Sequence, residues 1–172
     1  MEIDASILSE AYHERLDPKE YINPDKDQTQ NLKSFTDWLL KSEINYGLFT
    51  QASRVNAERV IKHLGLTNIF NKENMVTSTD FPNNFKHKSA VPYRVAFERL
   101  GGNAMPSNTM IIDDSRSVLE KAFNMSANNR SKMPMTTCLV DHGNIDPNPA
   151  NYIMHSVRNI GEVPELVNHL NR

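Results

Sequence analysis

The chain has 172 residues, a length that suits one domain with a small appendage. Its 19 basic and 21 acidic residues give a formal net charge of -2, so it lacks the basic excess typical of proteins that bind nucleic acid or anionic membranes. No apolar run is long enough to span a bilayer, the acidic start Met1–Asp4 does not resemble a signal peptide, and a single cysteine excludes an internal disulfide. We therefore expect an intracellular, cytoplasmic protein with no nucleic-acid or membrane partner, and we leave an organelle open.

Apolar spacing divides the first part of the chain into helices, a link and a strand. Helices are predicted over Ser6–Leu16 and Thr29–Lys41, and residues 17–28, which contain two X-Pro steps, are predicted to form a turn-rich link. The compact apolar run Tyr46–Thr50 predicts a buried strand, and Ser53–Leu64 predicts a helix directly after it.

Strands and helices alternate over the rest of the chain. The predicted elements are strand Met75–Val76, helix Ser89–Leu100, strand Thr109–Ile112, helix Arg116–Asn124, a loop over 125–135, strands Thr136–Val140 and Tyr152–Met154, and helix Val163–Leu170. This alternation is typical of an α/β fold with a parallel sheet covered on both faces. Ligands of such sheets bind beyond the carboxyl ends of the strands, where Thr50 and the pair Asp113–Asp114 are expected.

Three polar groups are candidates for chemistry. Asp113 and Asp114 follow an apolar strand, and adjacent carboxylates suit Mg²⁺, although they could simply cap the next helix. Thr50 and Gln51 precede a predicted helix, where a hydroxyl and backbone N–H groups bind phosphate; an ordinary helix cap is the alternative. The basic turn Lys86–Lys88 could neutralise a phosphate, or it could be a solvated loop.

Taken in order, these segments resemble the haloacid dehalogenase (HAD)-like hydrolase superfamily, and in particular its pyrimidine 5′-nucleotidase-like branch. The stretch Tyr46–Phe70 is similar to the second motif of that branch, in which a Phe-Thr-Asn strand end precedes a helix. Thr50 matches the phosphate-binding hydroxyl of this motif, and Gln51 replaces the usual asparagine. The stretch Met110–Ser115 is similar to the fourth motif, in which the acidic pair holds Mg²⁺.

The resemblance implies a doubly wound, HAD-like (Rossmannoid) parallel sheet. Residues 1–28 would be the remnant of a small helical cap with its linker, and residues 29–172 would be the α/β core without its first strand. Thr50, Gln51 and Lys88 would bind phosphate. Lys88 stands near the place of the third-motif lysine, but the spacing after it is one residue short, so Lys86 or His87 could take that role.

The first motif of the superfamily is absent. It is an apolar strand that ends Asp-x-Asp-x-Thr and supplies the nucleophilic aspartate, and the nearest candidate, Asp4-Ala-Ser6, lies too close to Met1 for a buried strand. The missing strand is central in the family's sheet, and unpaired buried backbone groups each cost roughly 1–3 kcal/mol. We therefore expect that something else fills the gap, that the flanking strands pair directly, or that the chain is a fragment.

The resemblance implies Mg²⁺-dependent hydrolysis of a phosphomonoester, for example a nucleoside monophosphate. Without the nucleophile, however, this chain is expected to be inactive or truncated, so its status as an enzyme stays open. A phosphorylated small molecule or nucleotide would be its partner if it is active. The alternative is a catalytically dead HAD-like domain that serves as a structural or binding subunit, with a protein partner or a second copy. A receiver-like domain is a third option, but receivers carry their acidic pair near the N-terminus.

Overall fold

Helices and short strands alternate in a computed structural model that describes residues 17–101, 108–128, 135–143 and 148–170. The helices are α1 Pro18–Tyr21, α2 Lys26–Lys41, α3 Arg54–His63, α4 Val91–Gly101, α5 Arg116–Asn128 and α6 Val163–Leu170, with 3-10 turns at Ser78–Asp80 and Ile160–Glu162. The strands are β1 Leu48–Phe49, β2 Met75–Val76, β3 Met110–Asp113, β4 Thr136–Val140 and β5 His155–Val157. The predicted α/β class is confirmed. The predicted helix Ser6–Leu16 and the candidate Asp4–Ser6 lie outside the described residues.

The strands form two separate parallel sheets. One contains β1 and β2, with Leu48 opposite Met75 and Phe49 opposite Val76. The other has the order β3-β4-β5, and all of its pairs are parallel. Within the described residues β1 and β3 do not pair, so direct pairing of these two strands is not how the expected gap is closed.

Helices pack on both faces of each sheet. On one face of β1–β2, the buried cluster joins Leu39 of α2 to Ile61 of α3 and Met75 of β2. Phe35 of α2 packs both against this cluster and against the cluster of β4 and β5, and so connects the two sheets on that face. On the opposite face, α4 and α5 contribute a cluster on which Phe49 of β1 and Ile111 of β3 both pack. The two sheets therefore share a core although their strands do not pair.

Local capping accounts for the helix starts that differ from the predicted ones. Residues 17–28 hold α1 and the first turn of α2 instead of a link. Pro18 stands at the start of α1, where its missing N–H costs no helical hydrogen bond. Asp25 accepts a hydrogen bond from Gln28 N at 2.8 Å, and Gln28 Oε1 accepts one from Asp25 N at 3.1 Å. This reciprocal capping box starts α2 earlier than the predicted Thr29.

The closing strand also differs from the prediction. The strand predicted at Tyr152–Met154 is wrong, because the ladder with β4 runs over His155–Val157. The buried Thr137 hydroxyl donates to Tyr152 O at 2.5 Å and accepts from Met154 N at 3.2 Å. A side chain of β4 thus satisfies the backbone groups that a strand would have paired.

Helix bounds in the second half shift in a similar way. The loop predicted over 125–135 is wrong in its first part, because α5 continues to Asn128. The helix predicted from Ser89 begins at Val91, since Ser89 Oγ accepts a hydrogen bond from Val91 N at 3.1 Å. No helix within the described ranges is long and apolar enough to cross a membrane.

Candidate functional site

Lys86 forms the centre of a polar site between the carboxyl ends of β1 and β3. Its ammonium Nζ donates to Phe49 O at 3.2 Å and to Asp113 Oδ2 at 2.8 Å. The Lys86 and Asp113 side chains are only 12% and 14% exposed. One lysine therefore connects the last residue of β1 to the last residue of β3 in a partly desolvated setting, where a charged hydrogen bond is strengthened.

Gln51 positions the loop that carries this lysine. Its Nε2 donates to Asn84 O at 3.1 Å, and its Oε1 accepts from Lys86 N at 3.1 Å. Both ends of the amide thus bind the backbone around Lys86. The structure places Gln51, a predicted phosphate-binding residue, as a brace for Lys86, and phosphate binding by Gln51 itself stays a prediction.

Aromatic rings form the floor of the site. Lys86 Nζ lies 5.0 Å from the centroid of the Phe49 ring, within the range of a cation–π interaction. The Phe49 ring meets that of Tyr93 edge-on at 5.3 Å, and Tyr93 donates its hydroxyl to Val118 O at 2.9 Å. Burial, together with the nearby Asp113 charge, raises the pKa of Tyr93. The Lys86–Asp113 pair therefore lies above an apolar surface.

Thr50 and the start of α3 are engaged in local hydrogen bonds. Thr50 Oγ1 accepts from Ala52 N at 3.1 Å, which leaves the Thr50 hydroxyl proton available to donate. Ser53 caps α3 by accepting from Asn56 N at 3.3 Å, and the Thr79 hydroxyl accepts from Arg54 N at 3.1 Å. Two N–H groups in the first turn of α3 are therefore engaged within the chain, and both the phosphate site and the ordinary helix cap stay predictions for this segment.

The three basic residues of the turn have different surroundings. Lys86 reaches the site, whereas Lys88, the predicted phosphate-binding lysine, is exposed and lies with its Nζ 5.4 Å from the centroid of the Phe85 ring. His87 is also exposed, and its ring lies 5.7 Å from that of Phe85. The structure therefore brings Lys86, which the sequence left as an alternative, next to Asp113.

The acidic pair does not form a ready metal site. Asp113 Oδ1 accepts from Ser115 N at 2.9 Å and its Oδ2 from Lys86, while Asp114 is exposed. Among the described residues, no three His, Cys, Asp or Glu side chains converge as they would around a metal ion. A divalent cation would also compete with the Lys86 ammonium for Asp113 Oδ2. Asp113 is therefore engaged by Lys86 and Ser115 in this arrangement, and the predicted Mg²⁺ stays an implication of the resemblance.

An ionic network behind the site was not predicted. Asp80 Oδ2 accepts from Arg54 Nη2 at 2.7 Å and from Thr77 N at 2.8 Å, and Asp80 Oδ1 pairs with Arg99 Nη2 at 2.8 Å. Burial alone would raise the pKa of Asp80, but the hydrogen bonds from Thr77 and Arg99 and the Arg54 charge outweigh it and hold the pKa below its usual value. The network ties α3 and α4 together, and no local sequence pattern could reveal it because its members are far apart in the chain.

The site can offer hydrogen-bond donors to an anion. A lysine ammonium has three N–H bonds, and two of them are used by Phe49 O and Asp113, which leaves one. The Thr50 hydroxyl adds a second donor at the same strand ends. No protein-family model matches the chain, and no curated protein matches it.

Proposed function

We propose that the chain is a domain with the doubly wound sheet of HAD-like proteins, and that its strand-end site binds the phosphate group of a phosphomonoester without hydrolysing it efficiently. A nucleoside monophosphate is the substrate class that the resemblance suggests. The observation that carries the proposal is the Lys86 ammonium, which lies between β1 and Asp113 with a donor to spare. The second-motif and fourth-motif segments, at Thr50 and at Asp113–Asp114, support it.

Hydrolysis in HAD-like enzymes begins with attack of an aspartate on phosphorus. Within the described residues, the carboxylates nearest to Lys86 are unsuited to that role. Asp113 is held at both oxygens by Lys86 and Ser115, and Asp114 is exposed to water. Among the described residues, the site therefore offers donors to an anion and no free, desolvated carboxylate to attack it.

The Lys86–Asp113 pair leads to a prediction whose direction separates phosphate binding from hydrolysis. Asp113 competes with a bound phosphate for the Lys86 ammonium, and its own negative charge repels the anion. Asp113→Asn keeps the side-chain shape and removes this charge. We therefore expect Asp113→Asn to strengthen phosphate binding severalfold, whereas in a Mg²⁺-dependent hydrolase the same change would abolish activity.

Phosphate binding can be measured by NMR titration with inorganic phosphate and with a nucleoside monophosphate. Lys86→Met should weaken binding by about tenfold, or ~1.4 kcal/mol, because the central donor is lost. Lys88→Met is the matched control, since it removes the same charge two residues away at an exposed position. Equal losses in both variants, or no shift of the Thr50 and Lys86 resonances in the unmodified chain, would contradict the proposal.

A second candidate function is that of a non-catalytic structural or binding subunit. It is favoured by the facing edges of β1 and β3, with which no strand pairs in the described part of the chain and which a partner could cover. Release of inorganic phosphate from a nucleoside monophosphate separates the two classes of function. Release that requires Mg²⁺ and disappears in Asp113→Asn would favour the enzyme and exclude this subunit role.

A further inference from the structure

Phe85 is the one exposed phenylalanine of the chain. All seven phenylalanines lie within the described residues; six are buried or half-buried, whereas Phe85 is 38% exposed. An apolar ring stabilises a fold when it is removed from water, so a ring that stays in water contributes little to folding. The Phe85 ring is instead accessible to a ligand.

A braced turn holds Phe85 beside the strand-end site. Gln51 binds the carbonyl before it, Asn84 O, and the N–H after it, Lys86 N, each at 3.1 Å. Phe85 O itself accepts a hydrogen bond from Lys88 N at 3.0 Å, which closes the turn. These bonds fix the backbone on both sides of Phe85, so the ring is held next to the site without being packed into the core.

Two basic side chains flank the Phe85 ring. Lys88 Nζ lies 5.4 Å from the ring centroid, and the His87 ring lies 5.7 Å away at an interplanar angle of 43°. Both side chains are exposed, and a cation–π contact between exposed groups is weak, so a ligand can displace the ammonium from the ring. The surroundings of Phe85 therefore combine an accessible aromatic face with basic groups, which suits a planar group carried by an anion.

The ring and the anion donor are neighbours in the chain. Phe85 and Lys86 are consecutive, with Cα atoms about 3.8 Å apart. The Lys86 side chain is 12% exposed and reaches inward to Phe49 O and Asp113 Oδ2, whereas the Phe85 ring stays in water. One small molecule can therefore place an anionic group at the remaining N–H of Lys86 and a planar group on Phe85.

We propose that Phe85 determines the specificity of the strand-end site: its ring stacks on the planar aromatic group of a phosphomonoester whose phosphate binds at Lys86. Stacking on an aromatic side chain requires a flat π system and little else. The class of ligand is therefore aromatic phosphomonoesters, in preference to sugar or alkyl phosphates. The inference rests on the proposed phosphate site and adds which organic group that site selects.

The test compares phenyl phosphate with cyclohexyl phosphate, which carry the same charge and are similar in size but differ in planarity. NMR titration of the full chain should show about tenfold tighter binding of phenyl phosphate, with ring-current shifts at Phe85 that cyclohexyl phosphate does not produce. Phe85→Leu should abolish the preference by weakening the binding of phenyl phosphate, and Phe85→Tyr should retain it. Tyr21→Leu, which removes a ring of similar exposure on α1, is the matched control and should leave both affinities unchanged.

Inorganic phosphate separates the failure of this inference from that of the proposed function. If inorganic phosphate binds and the two esters bind equally well to the parent chain, stacking on Phe85 is excluded and the phosphate site is kept. If Phe85→Leu weakens inorganic phosphate as much as phenyl phosphate, the residue only supports the turn, and the inference is again overturned. If neither inorganic phosphate nor either ester binds, the proposed function fails and this inference fails with it.

Discussion

β3 and β4 are neighbours in one sheet, yet they differ in how deeply they are buried, and the difference does not follow from their sequences. β3 reads Met-Ile-Ile-Asp and is half-buried along its whole length, whereas β4 reads Thr-Thr-Cys-Leu-Val and its middle residues are buried. β4 has a strand on each side, and β3 has one within the described residues. Within this sheet, the strand with two neighbours is therefore the more deeply buried one.

The two strands of the small sheet also differ in burial, and side chains, not a further strand, contact the outer edge of β2 in the described part of the chain. Both residues of β2 are buried and both residues of β1 are half-buried. On the β2 edge away from β1, Met75 O accepts from Arg99 Nη1 at 3.0 Å and from Arg54 Nη2 at 3.4 Å. Among the described residues, guanidinium groups thus take the place of a neighbouring strand at this edge of β2, whereas at the edge of β1 away from β2 Phe49 O accepts from the Lys86 ammonium.

The largest expected effect breaks the apolar support of β3 and β4. Leu119 of α5 is fully buried in a cluster with Leu139 and Ile153. Leu119→Ala should lower the free energy of unfolding by about 2–5 kcal/mol, because it removes buried methyl groups and leaves a cavity. Urea denaturation measures the change. Leu40→Ala, at a position that is 50% exposed, is the control and should stay within about 0.5 kcal/mol of the parent. Similar losses for the two variants would show that Leu119 is not in the core.

A middle-sized effect tests the ionic support of β2. Asp80→Asn removes the charge that pairs with Arg54 and Arg99 and should lower the free energy of unfolding by about 1–3 kcal/mol at neutral pH. Because the pKa of Asp80 is lowered in the fold, its stabilising effect is present above the usual carboxyl pKa and is lost as the pH falls through the folded value. Asp37→Asn, an exposed carboxylate on α2, is the matched control.

The pH dependence is the sharper part of this prediction. The parent and Asp80→Asn should differ most near neutral pH and converge in acid, as measured by urea denaturation at a series of pH values. At low pH, hydrogen exchange should show that the backbone amides of β1 and β2 lose protection before those of β4. A constant difference between parent and variant at all pH values would show that shape, and not charge, is what Asp80 contributes.

The smallest expected effect is a difference in chemical reactivity between thiols on the two strands. Burial raises the pKa of the Cys138 thiol in β4 to about 11, and the residue is fully buried, so iodoacetamide should react with it only when the chain unfolds. Ile112→Cys in a Cys138→Ser background places a thiol on half-buried β3. That thiol should react measurably in the folded state. Comparable rates for the two thiols would contradict the difference in burial.

The sequence predicted what local patterns determine. Apolar runs located four of the five strands that the described residues contain, and the alternation of strands and helices predicted the α/β class. Ser53 correctly marked the start of α3. The wrong strand, Tyr152–Met154, failed because the decisive group is a hydroxyl on β4, fifteen residues away in the chain. No periodicity within the segment itself could reveal that partner.

The sequence predicted which strand ends carry the candidate site, but not the contacts among the residues of the site. Thr50 and Asp113 were expected at carboxyl ends of strands; β1 ends at Phe49, directly before Thr50, and β3 ends at Asp113. The choice among Lys86, His87 and Lys88 depended on an irregular turn whose direction is set by Gln51, a contact over 35 residues. The Asp80 network joins residues from three elements for the same reason. Long-range hydrogen bonds of this kind follow from the folded chain and not from neighbouring sequence.

The Lys86 link also has a mechanical consequence. A β-ladder resists shear because several backbone bonds must break together, whereas a lysine side chain yields by rotating about its four methylene groups. Among the described residues, force applied across β1 and β3 would therefore be resisted by the flexible Lys86 side chain and by the packing of Phe49 and Ile111 on a shared cluster, and not by a backbone ladder. When the two sheets are pulled apart in an optical trap, the protein should extend first between β1 and β3. The force needed there should be lower than the force that separates β3 from β4.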